Sequence, residues 1–195
     1  MSKSVCIING HPDPSTERLV RALCDAYEDG CRASGFGVSR INIGELEVDL
    51  LGSATAFETP PAEAILTERK KIAEADHMVL IFPLWLGGIP AKTKAFFEQA
   101  ARGSFFLAEA EGKAKWPRKM MKGKSARLVV TMGMPGIVYK AWLDEGALKV
   151  LERGMLGMSG FGPIHHTILG GAGELSARKV ERWLARMHDL GLQGA

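Results

Sequence analysis

Three short stretches of this chain combine residue types that could serve one ligand. After the apolar run Ser4–Asn9 comes Gly10-His11-Pro12-Asp13-Pro14-Ser15-Thr16-Glu17-Arg18, where a helical pattern begins at once. A helix start presents N–H groups without intrahelical partners and a partial positive charge. The hydroxyls of Ser15 and Thr16, the ring of His11 and the guanidinium of Arg18 add donors and charge, which is the chemistry of a phosphate cradle built from side chains. The same residues also read as a ligand-free polar turn, with Ser15 as N-cap and Glu17 in the first turn. Neither GxGxxG nor GxxxxGKS/T is present, which argues against a dinucleotide Rossmann fingerprint and a P-loop.

The second stretch is Phe82-Pro83-Leu84-Trp85-Leu86-Gly87-Gly88-Ile89-Pro90. A strand ending in Trp85, followed by two glycines, offers a flat apolar ledge that a ring system can approach closely; the alternative is a tryptophan that caps the core. The third is Thr131-Met132-Gly133-Met134-Pro135-Gly136-Ile137-Val138-Tyr139. Its backbone N–H groups could bond the polar edge of a ring, with the Tyr139 phenol beside it; otherwise Tyr139 is a surface residue packed on Trp142 or Pro135. A mononucleotide with a large flat head group, such as flavin mononucleotide (FMN), meets all three demands.

These stretches need elements to hold them. Residues 4 to 9, 38 to 43, 78 to 84, 126 to 131 and 164 to 169 read as strands, the third apolar throughout as a central parallel strand should be. Helical spacing covers residues 16 to 33, 62 to 75, a segment after Pro90 with contacts at Ala91, Ala95 and Phe96, residues 143 to 156, and 176 to 187. Five strands alternating with helices predict an α/β fold, a doubly wound five-stranded parallel sheet with helices on both faces. Ligands in such sheets bind beyond the carboxyl ends of the strands, where the strand order reverses, and the three stretches stand there.

At 195 residues, 46% apolar and 24% charged, the chain reads as one domain over residues 1 to 195 with an ordinary core. No apolar run approaches the length of a membrane span and no signal-peptide layout opens the chain, so a cytoplasmic protein without membrane insertion is expected. Cys6, Cys24 and Cys31 have no metal-ligand spacing and read as buried reduced thiols. His165 and His166 are adjacent in a strand and point to opposite faces, so no metal is expected.

On the motifs His11-Pro12 with Ser15, "FPLWLGGIPAKTKAFFE" at 82 to 98 and "KGKSARLVVTMGMP" at 122 to 135, the chain resembles the flavodoxin-like NAD(P)H:quinone oxidoreductases, a family that includes NAD(P)H-dependent flavin reductases. The resemblance spans residues 4 to 187. It implies that His11, Ser15, Glu17 and Arg18 bind the flavin phosphate and ribityl chain, that Pro83, Leu84, Trp85 and Leu86 run under the isoalloxazine, and that Thr131, Met132 and Gly133 meet its pyrimidine edge. It implies Tyr139 as the catalytic phenol. Two positions depart from the family: Leu86 and Gly87 stand where the best-known members carry an aromatic pair, and Glu145 stands where a His follows the Tyr. The activity implied is hydride transfer from NAD(P)H through FMN, or FAD, to a quinone or similar acceptor. A flavodoxin-type electron carrier and a regulatory flavoprotein subunit of a membrane transporter are the alternatives.

Two further features remain. Lys113, Lys115, Arg118, Lys119, Lys122, Lys124 and Arg127 form a basic stretch, read as a solvated loop or as an attractor of the anionic nicotinamide cofactor. Nucleic-acid binding is not expected, because stacking aromatics do not interleave with the charges. Phe96, Phe97, Phe105 and Phe106 are read either as core or as part of a homodimer interface that closes the substrate pocket.

Overall fold

The computed structural model describes residues 2–109 and 116–195. The chain runs β1 (Ser4–Asn9), α1 (Leu19–Ala33), β2 (Gly37–Asn42), α2 (Glu63–Glu74), β3 (His77–Pro83) and α3 (Ala91–Ala101). It continues through β4 (Leu107–Ala108), β5 (Arg118–Lys119), β6 (Ser125–Met132), α4 (Gly136–Trp142), α5 (Gly146–Lys149), β7 (Ile164–Gly170) and α6 (Ala177–Gln193). α5 passes directly into a wider π-helical segment, Val150–Gly157. The main sheet has the order β2-β1-β3-β6-β7, and every pairing in it is parallel. β4 and β5 form a separate antiparallel pair within the long connection from α3 to β6.

Strand alternation divides the core in two. Val5, Ile7, Val79, Ile81, Val129 and Leu169 face α1 and α6, while Cys6, Ile8, Met78, Leu80, Phe82, Leu128 and Val130 face α2, α3, α4 and the π-helical segment. Every residue of β3 is buried, because it has a strand on each side and helices on both faces. This is the doubly wound α/β fold expected. Burial also accounts for the thiols: Cys6 and Cys24 are pushed up to about 12 and Cys31 to about 11, and all three are free cysteines.

α1 and α6 meet backbone to backbone. A Cβ on Gly30 would stand 2.1 Å from the His188 carbonyl oxygen, and one on Gly191 would stand 2.1 Å from the Tyr27 carbonyl oxygen. Tyr27 in turn donates its hydroxyl proton to the Ala195 carbonyl at 2.9 Å.

The structure corrects several local expectations. α1 begins at Leu19 with Arg18 in the N-cap position and no side-chain cap; Ser15 is not the N-cap and Glu17 is not in the first turn. Ser15 Oγ instead accepts the Glu17 N–H at 3.3 Å, a local turn that competes with helix. Pro90 is the N-cap of α3 rather than part of its first turn, and Ala91 is exposed. α4 forms where only a loop was expected. The single helix expected over 143 to 156 is interrupted at Asp144 and Glu145, both in the left-handed region. The four phenylalanines belong to the core: Phe96, Phe97 and Phe106 are buried, and half-buried Phe105 packs edge-on to Phe106 beneath Arg69. The basic stretch is dispersed. Lys124 donates to the carbonyls of Ala73 and Ala75 at the end of α2, Lys119 donates to that of Gly157, and Arg127 is buried in β6 on Thr167. Lys113 and Lys115 lie outside the described residues.

Gly30→Ala and Gly191→Ala are each expected to destabilise the fold by about 2–3 kcal/mol through overpacking. Gly146→Ala, where a Cβ meets nothing within 4 Å, is expected to be neutral or stabilising; urea unfolding compares the three. His77 gives a second prediction. Its Nδ1 pairs with Ser125 Oγ at 2.7 Å, its Nε2 is buried without a partner among the described residues, and burial lowers its pKa from 6.5 to about 3. The unfolded chain therefore takes up this proton first as pH falls. The stability held above pH 6.5 declines between 6.5 and 3, by up to about 1.4 kcal/mol per pH unit. Urea midpoints across that range should fall, and should fall less steeply in His77→Gln.

Candidate functional site

β1 and β3 are neighbours, but their following connections lead to opposite sides of the sheet, so the loops after them part at the switch point. Gly10 sets the first loop. Its N–H donates to the Ile81 carbonyl at 2.8 Å and its own carbonyl accepts the buried Thr93 hydroxyl at 2.7 Å. A Cβ here would stand 2.9 Å from Phe82 Cβ and 3.2 Å from the Ile81 oxygen, so the loop leaves β1 pressed against β3.

From that point the loop is tied by its own polar groups. Asn9 Oδ1 accepts the His11 N–H at 3.1 Å, His11 Nδ1 accepts the Asp13 N–H at 3.1 Å, and Asp13 Oδ1 accepts the Ser15 N–H at 2.8 Å. A backbone N–H can only donate, so Nδ1 of His11 is unprotonated and the neutral ring carries its proton on Nε2. Partial burial lowers the His11 pKa and favours this neutral form. The Arg18 guanidinium grips Asp13 through Nε at 2.7 Å and through Nη2. The Ser15 N–H bond first, and Arg18 second, hold the Asp13 carboxyl below the usual carboxylate range. The 3-10 turn Ile43–Glu45 supports the loop from outside: a Cβ on Gly44 would stand 2.8 Å from Asp13 C and Pro14 N.

The second loop is a tight hairpin. Trp85 and Gly88 exchange both backbone hydrogen bonds, at 3.0 and 2.9 Å. Leu86 and Gly87 at its tip have φ of 48° and 77°, the left-handed pair that a type I′ turn requires. Glycine takes this conformation without cost, whereas Leu86 takes it under strain and with its side chain fully exposed. Trp85 is 49% exposed, and its ring meets the His11 ring edge-on, with centroids 5.7 Å apart. The third loop is joined to the second where the Leu84 N–H donates to the Thr131 carbonyl at 2.7 Å. Its outer side is fixed by Gly171 and Ala172, whose N–H groups donate to the carbonyls of Met134 and Met132.

The structure therefore gathers His11, Trp85 and the Thr131–Met132 backbone on one end of the sheet. Pro83 is buried as the last residue of β3 and Leu84 is half-buried beside it, while Gly133 is exposed with open space around it. Ser15 is half-buried beside the start of α1, and Glu17 projects into solvent. Tyr139 is fully buried, its oxygen accepting the Leu148 N–H at 3.4 Å, and burial raises its pKa. In this arrangement the phenol ties α4 to the first turn of α5. Glu145 lies 3.9 Å from His166 Nε2, and His166 Nδ1 pairs with Glu152 at 2.6 Å.

Asn9, Asp13, Gly44 and Thr93 went unrecognised in the sequence. They act on the first loop through long-range packing or as bracing within it, and no spacing announces that. The site fits a flavin by its donor set: N–H groups, a hydroxyl and a neutral imidazole at one end, an exposed indole in the middle, and an open glycine backbone at the other end. Among the described residues, no group of three or more His, Cys, Asp and Glu is placed to hold a metal ion.

Gly10→Ala is expected to cost about 1–3 kcal/mol and to displace the first loop, because its neighbours at 2.9 to 3.2 Å include backbone and Cβ atoms that cannot swing aside. Loss of the edge-on His11–Trp85 contact, read as a change in Trp85 fluorescence in a chain whose other tryptophans are replaced by phenylalanine, reports the displacement.

Comparison with known proteins agrees with this fold. The profile of the family described as Flavodoxin-like fold matches residues 3–190. NAD(P)H dehydrogenase [quinone] 1 of Cavia porcellus is 31% identical over 147 residues, covering 71% of this chain and 52% of that protein, so the chain spans about half of that relative's length. The NAD(P)H:quinone oxidoreductase from Methanothermobacter marburgensis superposes with a TM-score of 0.82 at 21% identity, covering 98% of each chain. An FMN-dependent NADH-azoreductase from Bacillus anthracis, solved in complex with FMN, superposes with a TM-score of 0.74 at 16% identity over 99% of each chain. At these identities the two structures speak for the fold.

Proposed function

The chain belongs to the family of the flavodoxin-like fold, and on that premise we propose that it is a flavin-dependent NAD(P)H oxidoreductase that reduces a quinone or similar acceptor. The overall change is NAD(P)H plus a proton plus quinone giving NAD(P)⁺ and hydroquinone. The observation that carries this reading is the edge-on contact of His11 with Trp85 at the β1/β3 switch point, which puts a phosphate-type donor set and a flat apolar surface within one ligand's reach. FMN, when bound, supplies the two-electron redox chemistry.

The chain's own residues bind and orient. His11 through Nε2–H, Ser15 and the uncapped first turn of α1 receive the phosphate. Arg18 faces the same loop but shares its charge with Asp13, so neutral donors and the helix dipole carry most of the recognition. This favours FMN over FAD, since every feature of the cradle suits a terminal monophosphate. Glu17 contributes by shaping the turn, through its N–H on Ser15. Pro83, Leu84, Trp85 and Leu86 form the apolar side under the ring, and Thr131, Met132 and Gly133 offer backbone donors to its polar edge, where negative charge develops on reduction. Tyr139 acts as a positioning residue through α5. The exposed tip at Leu86 and Gly87 leaves one ring face open to the nicotinamide donor and then to the acceptor.

Ile137, Val138 and Trp142 of α4, and Leu143 just after it, are exposed beside the third loop. An apolar face of that kind calls for a cover, and a second copy of the chain supplies it in this reading. The buried reduced thiols suit the cytoplasm, where NAD(P)H is available. Among the described residues no helix is long and apolar enough to cross a membrane.

The protein reconstituted separately with FMN and FAD should show the spectrum of a bound flavin with FMN and oxidise NAD(P)H when an unsubstituted benzoquinone is supplied. His11→Ala and Ser15→Ala should each weaken FMN retention by roughly tenfold, the equivalent of one or two hydrogen bonds. A protein that retains neither flavin, or retention indifferent to both substitutions, would overturn the assignment.

A further inference from the structure

Two apolar cavities adjoin on one side of the site, and beyond its edge at Gly87 and Gly88 the proposed function does not use them. One, of about 330 Å³, opens against Gly87, Gly88 and Ile89 of the second loop and is closed opposite by Gly146 and Ala147. The other, of about 370 Å³, lies between α3 and the π-helical segment and is lined by Phe57, Phe97, Phe106, Leu107 and Met155. Lys94, Val150 and Leu151 line both, so the two form one groove from the open tip of the site to Phe57 and Phe106. Each volume is of the size that binding sites for small molecules occupy.

The walls are hydrocarbon, and their few polar groups are already engaged. Lys94 is paired with Glu98, and Ser159 Oγ donates to the Met155 carbonyl at 2.6 Å. The buried side-chain polar atoms without a partner among the described residues belong to Arg40, Asn42, His77 and Arg127, none of which lines the groove. A peptide seated here would bury its own N–H and C=O groups with nothing to receive them, at a cost that a hydrocarbon chain does not incur. One wall is the widened segment Val150–Gly157, and such segments recur at functional sites. Among the described residues, a Cβ at Gly154 would meet nothing within 4 Å. Val150 and Phe57 are left 64% and 43% exposed at the rim, which an apolar occupant would cover.

We propose that this groove receives the hydrocarbon tail of the electron acceptor, so that the preferred substrate is a quinone bearing an alkyl or prenyl chain. Its ring lies at the Gly87–Gly88 end and its tail runs along α3 toward Phe106. This rests on the reductase reading of the site, and equilibrium binding separates the two. The probes are benzoquinones that share one ring and carry no tail, a four-carbon tail or a ten-carbon tail, bound by dialysis to the FMN-loaded protein and also assayed as acceptors with NAD(P)H.

The expected result is affinity that rises with the tail, by up to about fourfold for each methylene that enters the groove, with KM falling in parallel. Gly154→Leu, which projects into the groove, and Val150→Asp, which charges its rim without touching the core, should each bring the ratio of long-tail to tail-less affinity toward one. Equal affinity for all three probes would overturn the proposal, whether or not the tail-less quinone is turned over. So would a Gly154→Leu protein that keeps the tail preference but changes its oligomeric state, since the groove would then belong to a second copy of the chain. Tail-dependent binding without NAD(P)H oxidation would sustain the groove while defeating the reductase reading.

Discussion

Everything at the ligand end of this molecule depends on how closely the chain can pass β3 as it leaves β1. Gly10 makes that passage with one hydrogen bond to Ile81 and one from Thr93, in a space that admits no Cβ. Had the chain left β1 with a side chain at this point, the first loop would ride higher and His11 could not reach the edge of Trp85. The contact between two separate loops is thus inherited from a backbone contact between two neighbouring strands. Thr93 extends the same dependence to α3, so the strand pair, the helix and both loops form one rigid unit.

The electrostatics of the site follow from this rigidity. A loop braced by Asn9, His11 and Asp13 has its side-chain acceptors engaged by its own N–H groups, and it points its remaining donors outward. Asp13 also neutralises Arg18, which leaves a cradle whose attraction for an anion comes from oriented N–H groups more than from formal charge. Such a cradle discriminates by geometry and is less sensitive to ionic strength than one built from lysines and arginines. Leu86, held left-handed at the tip of the second loop, indicates that the hairpin's shape is kept at some cost in strain, as binding loops often are.

Much of this was legible in the sequence because it depends on local pattern. The five parallel strands lie within about a residue of their expected positions, since an apolar run between breakers has few other uses in a chain with this alternation. The three loops were legible for the same reason: they stand at the strand ends. What escaped was decided by tertiary structure. Ser15, Thr16 and Glu17 have the composition of a helix start, yet Asp13 and the Ser15 turn hold the backbone out of the helix until Leu19. α4 was hidden because Ile137, Val138 and Trp142 face outward, so its one inward side chain, Tyr139, shows no period. The four phenylalanines looked excessive for one core, yet Phe96, Phe97 and Phe106 are buried in it against one another and Phe105 packs on Phe106. The basic stretch looked like a patch because sequence cannot show that Lys124 caps one segment, Lys119 another, and that Arg127 is inside the sheet.

The seam between α1 and α6 carries one more consequence. Gly30 lies under the His188 carbonyl and Gly191 under that of Tyr27, so each helix has a notch into which the other's backbone settles, once in each direction. Sliding either helix by a single residue would drive a neighbouring Cβ into a carbonyl oxygen. The last helix can therefore detach by lifting away from the first, but it cannot creep along it. For two helices that share one face of the sheet, the two notches act as a detent: they permit one docked position and abolish the continuum of nearly docked ones.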